Sequence, residues 1–157
     1  MLGSLLTGKS RDVARMVRIY FGEASTIVVP MHRNASGICF EQETPLVIAG
    51  DPAPMQLGEA FAEAFASFSV VSRDVSFSKR SDWPAFKASG CPSIRAFETR
   101  YVSMSCASLN ASNTIVRASM SHPSQDGIEL AWQFNPSLAP DAVGDGLLRL
   151  VGVAAKL

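Results

Sequence analysis

The chain has 157 residues, of which 14 are Lys or Arg and 14 are Asp or Glu, with 47% apolar and 18% charged residues. That length suits one domain, residues 1–157, and the apolar fraction is enough for a core that needs no staples. A formal net charge of zero excludes the overall basicity of a chain held by phosphates, and no apolar run nears the ~18 residues of a membrane span.

Residues 1–14 mix small polar side chains with scattered leucines. Met1 to Leu6 is too short for the apolar core of a secretory signal and lacks a basic start, so neither export nor an anchor is expected. Gly3 to Ser10 matches the spacing GxxxxGKS of a phosphate-binding loop. No strand precedes it to feed the glycines, so nucleotide binding is not expected.

From Met16 the pattern becomes β-rich. Val17, Ile19 and Phe21 alternate, Gly22-Glu23-Ala24 offers a hairpin connection, and Ile27, Val28 and Val29 follow. Ile38-Cys39-Phe40 and Leu46-Val47-Ile48 predict two more short strands, closed by Gly50-Asp51-Pro52, so four strands in a meander are expected. After Pro52-Ala53-Pro54 the apolar period changes from 2 to 3.6, because Leu57, Phe61, Ala64, Phe65 and Phe68 share one helical face. Pro54 suits the first helical turn, and Glu59 and Glu63 fall toward the N-terminal half, where carboxylates meet the positive end of the helix dipole.

Residues 69–100 read as a connector. Ser81-Asp82 is placed to cap a short helix through Trp83, Pro84 and Phe86, with Gly90 closing it. Cys91-Pro92-Ser93 then restarts a helical turn in which Ile94 and Phe97 point inward. Tyr101 to Cys106, Thr114 to Met120 and Ile128 to Phe134 predict strands, the last with Leu130, Trp132 and Phe134 on one face. A second helix begins at Pro140.

Sliding the sequence by 86 positions places Pro54 on Pro140, Gly58 on Gly144 and Glu59 on Asp145. The same shift carries Leu57, Phe61, Ala64, Phe65 and Phe68 onto Val143, Leu147, Leu150, Val151 and Ala154. The chain therefore reads as an internal pseudo-repeat, 17–68 and 101–155, with 69–100 between. The expected fold class is α+β: a duplicated strand-rich meander plus amphipathic helix, forming a mostly antiparallel sheet with the helices packed on it.

Chemistry is sparse. His32 and His122 share no ligand spacing with other candidates, so no metal site is expected and both read as surface or turn residues. No G-x-S-x-G elbow occurs, and no serine stands out as a nucleophile, so no catalytic residue is assigned and no cofactor is expected. Cys39, Cys91 and Cys106 are odd in number without CxxC spacing, which reads as reduced thiols in a cytoplasmic chain. Trp83 and Trp132 read as core or half-buried packing residues. Charge, however, is unevenly spread. Residues 34–63 hold Glu41, Glu43, Asp51, Glu59 and Glu63 with no Lys or Arg, whereas the first 33 residues are basic. In a strand, Glu41 and Glu43 would project to one face.

Several stretches occur together in order over residues 17 to 155. They are Leu57-Gly58-Glu59-Ala60-Phe61 after its proline turn, the Trp83 to Gly90 segment, Ser93-Ile94-Arg95-Ala96-Phe97-Glu98 leading into Val102-Ser103-Met104, and the closing Pro140 to Val151 helix. Together they resemble the immunity proteins of contact-dependent growth inhibition systems, the CdiI family. The second helix departs from the pattern, since Val143-Gly144-Asp145-Gly146-Leu147 is a weakened form of the first phrase.

The resemblance implies a bacterial cytoplasmic antitoxin rather than an enzyme. Its partner would be the C-terminal toxin domain of a CdiA-like effector, commonly a nuclease such as a tRNase. The resemblance also implies an architecture similar to the Whirly fold. A nuclease presents a basic substrate channel, to which an acidic patch is steered. Glu41, Glu43, Asp126 and Glu129 are accordingly the expected toxin-facing residues. The competing expectation is a Whirly-like binder of single-stranded nucleic acid, which needs a basic groove and exposed aromatics. Neutral net charge runs against it. No membrane partner is expected, and the oligomeric state is left open.

Overall fold

The computed structural model describes residues 14–72, 82–119 and 129–156. In chain order the elements are β1 (Met16–Gly22), β2 (Ser25–Asn34), β3 (Cys39–Glu41), β4 (Leu46–Ala49), α1 (Pro54–Ala66), β5 (Ser69–Val71), α2 (Pro84–Ser89), α3 (Ile94–Arg100), β6 (Tyr101–Asn110), β7 (Asn113–Ser119), β8 (Leu130–Phe134) and α4 (Pro140–Ala154). The protein is α+β, as expected. Eight strands form a sheet whose main path runs β3-β2-β1-β6-β7-β8. Only the short β2–β5 pairing is parallel among the described strands.

The centre of the sheet is the antiparallel pair of β1 and β6, in register from Met16 opposite Ala107 to Gly22 opposite Tyr101. Each strand continues into a hairpin, β1 to β2 and β6 to β7. In detail the first four strands differ from a simple meander, because β3 and β4 do not pair with each other. Both lie along β2: Ser25 to Val28 pairs with β4, and Met31 to Arg33 pairs with β3. Pro30 stands between the two stretches. It has no N–H to give a ladder, and its carbonyl accepts from the Gln42 amide at 2.9 Å as the chain leaves β3.

Strand alternation sends one set of side chains to each face of the sheet. Val17, Ile19 and Phe21 of β1, Val28 of β2, Met104 and Cys106 of β6, Val116 and Ala118 of β7 and Phe134 of β8 form the main core. Leu57, Phe61 and Ala64 of α1 and Val143, Leu147 and Ala154 of α4 cover it. Each large side chain so buried contributes roughly 1.5–3 kcal/mol of transfer free energy. The predicted helical stripe is thus the core-facing stripe, except that α1 ends at Ala66 and Phe68 lies beyond it.

Helices α1 and α4 meet through their glycines. A Cβ on Gly58 would stand 1.7 Å from the Pro140 carbonyl oxygen, and one on Gly144 would stand 1.8 Å from that of Pro54. The two contacts are reciprocal, and the sequence offset of 86 exchanges them.

The opposite face carries a smaller cluster of Tyr20, Ile27, Val29 and Tyr101 from the sheet with Ala85 of α2 and Phe97 of α3. The connector 69–100 therefore supplies β5 to β2 and a two-helix cap to this second face. Gly90 ends α2 with φ +66°, as expected, and the turn restarted at Cys91-Pro92-Ser93 is α3, which Ser93 caps by accepting from the Ala96 amide at 3.2 Å. The N-terminus of α2 is a correction: its N-cap residue is Trp83, not Ser81 or Asp82. The capping acceptor comes from another element, described below.

Candidate functional site

Glu41 ends β3 and is half-buried. Its Oε1 accepts from the Tyr20 hydroxyl at 2.6 Å, and its Oε2 accepts from the Ala85 amide at 2.9 Å. One carboxylate thus ties the sheet face to the first turn of α2, where the leading amides lack helical partners and Pro84 has no N–H to satisfy. Charge-assisted bonds of this kind are the stronger class of hydrogen bond. Burial, and then the Glu41 charge, push the Tyr20 phenol well above its ordinary range.

Glu43 is placed differently. Strand β3 stops at Glu41, so Glu43 does not share a strand face with it but lies exposed in the loop toward β4. With exposed Asp51, Glu59 and Glu63 it belongs to a stretch, residues 34–63, without a Lys or Arg. That stretch builds β3 and β4, which lie along β2 toward one end of the sheet, and most of α1, which packs over the main core face.

Glu129 sits at the other end, just before β8. Its Oε1 receives Nε of Arg117 at 2.9 Å, with the side chains 63% and 43% exposed, so solvent screening leaves the pair little energy. Five strand-to-strand steps separate β3 from β8, roughly 24 Å across the sheet. The structure therefore brings Glu41 and Glu43 to one neighbourhood and holds Glu129 apart. Asp126 lies outside the described residues, as do His122 and the Gly3 to Ser10 segment.

His32 is in β2 rather than in a turn. Its Nδ1 is 2.7 Å from Ser69 Oγ across the β2–β5 pairing, and its ring lies 5.3 Å from that of Phe40. The contact joins a strand to its neighbour. Among the described residues no group of His, Cys, Asp and Glu is arranged to hold a metal ion, and no helix is long and apolar enough to cross a membrane.

The three cysteines are free thiols. Cys106 is buried in the main core, which pushes its thiol well above the ordinary range; burial also raises half-buried Cys39. Trp132 is half-buried, stacked on Phe134 with centroids 4.4 Å apart, and it fills the space that a Cβ on Gly146 would need.

A cleft of about 370 Å³ opens where the α2–α3 cap meets the second face of the sheet. Arg18 and Ser103 lie on the sheet side, Trp83 and Glu98 on the cap side, and Tyr20, Phe97 and Tyr101 form the wall between. Phe97 stacks obliquely on both tyrosines, with ring centroids 5.0 Å away in each case. The tyrosine hydroxyls are engaged elsewhere, Tyr20 with Glu41 and Tyr101 with Ser25 at 2.9 Å. None of this was marked in the sequence. Arg18 and Ser103 are polar positions in β-rich runs, and only the long-range β1–β6 register, which pairs Arg18 with Ser105 and Ser103 with Tyr20, brings them to one face as diagonal neighbours.

No family model matches the sequence, and no curated protein matches it. Solved structures do match its fold. The chain superposes on the protein of unknown function NMB0488 from Neisseria meningitidis with a TM-score of 0.68 at 16% identity, covering 89% of this chain and 94% of that one. It also superposes on a chain of the CdiA-CT/CdiI toxin and immunity complex from Yersinia pseudotuberculosis. There the TM-score is 0.67 at 12% identity, covering 90% of this chain and 97% of that one. At these identities the likeness is one of fold.

Proposed function

We propose that this chain is an immunity protein: it binds the C-terminal toxin domain of a CdiA-like effector, of the nuclease class, and blocks it in the cytoplasm. The observation that carries the reading is the fold shared with a chain of the Yersinia pseudotuberculosis toxin and immunity complex over 90% of this sequence. The resemblance of the Leu57 to Phe61, Trp83 to Gly90 and Ser93 to Met104 stretches to CdiI proteins points the same way. An antidote of this kind works by affinity and fit, without chemistry of its own.

The acidic edge of β3, β4 and α1 is the surface we assign to the toxin, with Glu43 as its exposed representative and Glu41 set behind it. A basic nuclease channel is attracted to such an edge and is blocked once the carboxylates occupy its phosphate sites. Glu129 and Asp126 were expected on the same surface. With Glu129 roughly 24 Å away across the sheet, it would serve a separate contact.

The test is a titration of the purified chain against the toxin domain encoded with it. Glu43→Lys should weaken the complex by at least about tenfold and flatten its salt dependence, as expected for a lost charge pair. Glu41→Lys is a poorer probe, because it also removes the bonds to Tyr20 and Ala85. Unchanged affinity in Glu43→Lys removes the acidic edge from the interface. Absence of any complex with the matched domain removes the immunity reading itself.

A further inference from the structure

Strand β4 pairs with β2 alone among the described strands, and its alternation divides it cleanly between the two faces of the sheet. Leu46 and Ile48 turn to the main core, whereas Val47 and Ala49 stand opposite Ile27 and Ser25 on the α2–α3 side. Both are exposed, Val47 to 51%. Val47 thus leaves apolar surface in water although its cross-strand neighbour Ile27 is fully buried.

Exposed acids lie at both ends of this short strand. Glu43 precedes it in the loop from β3, and Asp51 follows it in the turn to α1. Glu23 joins Asp51 at the far end, because the Gly50 amide donates to the Ala24 carbonyl at 2.9 Å and so ties that turn to the β1–β2 hairpin. No Lys or Arg occurs in residues 19–32 or 34–72, which build this corner. Its limit lies toward α3, where Arg100 comes just before Tyr101, the partner of Gly22. A lone exposed valine carries no message, but an apolar centre between charged flanks is the anatomy of a protein interface. Glu59 and Glu63 belong to α1, which covers the opposite face. The sheet separates the two sets of acids, so a flat partner surface meets one set or the other.

We propose that the toxin domain docks on the α2–α3 side of β4. Arg and Lys side chains of its basic channel lay their aliphatic stems on Val47 and Ala49 and bring their charged ends to Glu23, Glu43 and Asp51. The assignment rests on the immunity reading and narrows its acidic edge to one face. It adds Glu23, which the sequence hides in a basic opening segment, and leaves Glu59 and Glu63 outside.

The experiment is a calorimetric titration of the full chain against the toxin domain encoded with it, at low and at moderate salt, with the fold of each variant checked by circular dichroism. Val47→Lys, in an edge strand where lysine is well tolerated, should weaken the complex about tenfold or more. Glu23→Lys should weaken it about fivefold or more and flatten its salt dependence, while Glu59→Lys, an equal change of charge, should stay within about twofold of wild type. Wild-type affinity in both Val47→Lys and Glu23→Lys would overturn this surface and leave the immunity reading standing. A loss in Glu59→Lys equal to that in Glu23→Lys would overturn it too, since binding would then follow net charge. No complex with the wild-type chain would overturn the immunity reading and this surface together.

Discussion

At the scale of single residues, Glu41 and Cys106 show how burial decides what a side chain does. Glu41 looks like a surface acid in the sequence, yet it holds Tyr20 and the α2 amide of Ala85 together. Its replacement by alanine leaves a buried phenol without its acceptor, which costs roughly 1–3 kcal/mol. Urea denaturation should show that loss, and hydrogen exchange should speed up in α2 and α3 while α1 and α4 keep their protection. Cys106 predicts a pH effect. Its folded-state value, like that of Tyr20, is raised, so the folded chain holds these protons more tightly than the unfolded chain. Their contribution is therefore complete at neutral pH and is lost as pH rises above the unfolded values, first near 9 for the thiol and then near 10 for the phenol. Stability measured by urea between pH 8 and 10 should fall with a slope of up to about 1.4 kcal/mol per pH unit for each group. Cys106→Ala should reduce the earlier part of that slope, leaving the smaller share from half-buried Cys39.

At the scale of elements, the contact between α1 and α4 has least tolerance for change. Alanine at Gly58 or Gly144 gains intrinsic helix propensity of about 1 kcal/mol, but its methyl group meets a backbone carbonyl that cannot rotate away. The helices must part, so either substitution should lower stability by about 3 kcal/mol, read from the denaturation midpoint. Gly152, with nothing within 4 Å of a Cβ, is the control and should accept alanine without loss. Much of this level was legible in the sequence. The period-3.6 stripes at Leu57 to Phe65 and Val143 to Ala154 mark two core-facing helices, and alternation marks β1, β6 and β8. The paired glycines were visible through the offset of 86, though not their reason. Less legible was everything set by contacts distant in sequence. The cap of α2 comes from β3, more than 40 residues away, so the local Ser81-Asp82 signal misled. The attachment of both β3 and β4 to β2 depends on the length of that strand and on Pro30, which short apolar runs do not reveal.

At the scale of the whole molecule, α1 and α4 cover one face while the connector caps the other, so the two faces have different chemistry. We read residues 17–68 and 101–155 as two versions of one unit, with 69–100 added between them; the reciprocal Gly58–Pro140 and Gly144–Pro54 contacts support that reading. The candidate site was only partly legible. Composition alone disclosed the acidic stretch, because charge along a chain needs no fold to be counted. Which of its acids face outward depends on where β3 ends, and that divides Glu41 from Glu43. The distance of Glu129 from both follows from strand order, which no local pattern encodes.

Protection from a toxin can be measured directly. The matched C-terminal effector domain is expressed in bacteria with and without this chain, and survival is counted alongside recovery of a stoichiometric complex. Restored growth and a one-to-one complex are expected with the wild-type chain, and reduced protection with Glu43→Lys. Growth arrest that persists while the folded chain is present in excess over the toxin domain would contradict the immunity reading.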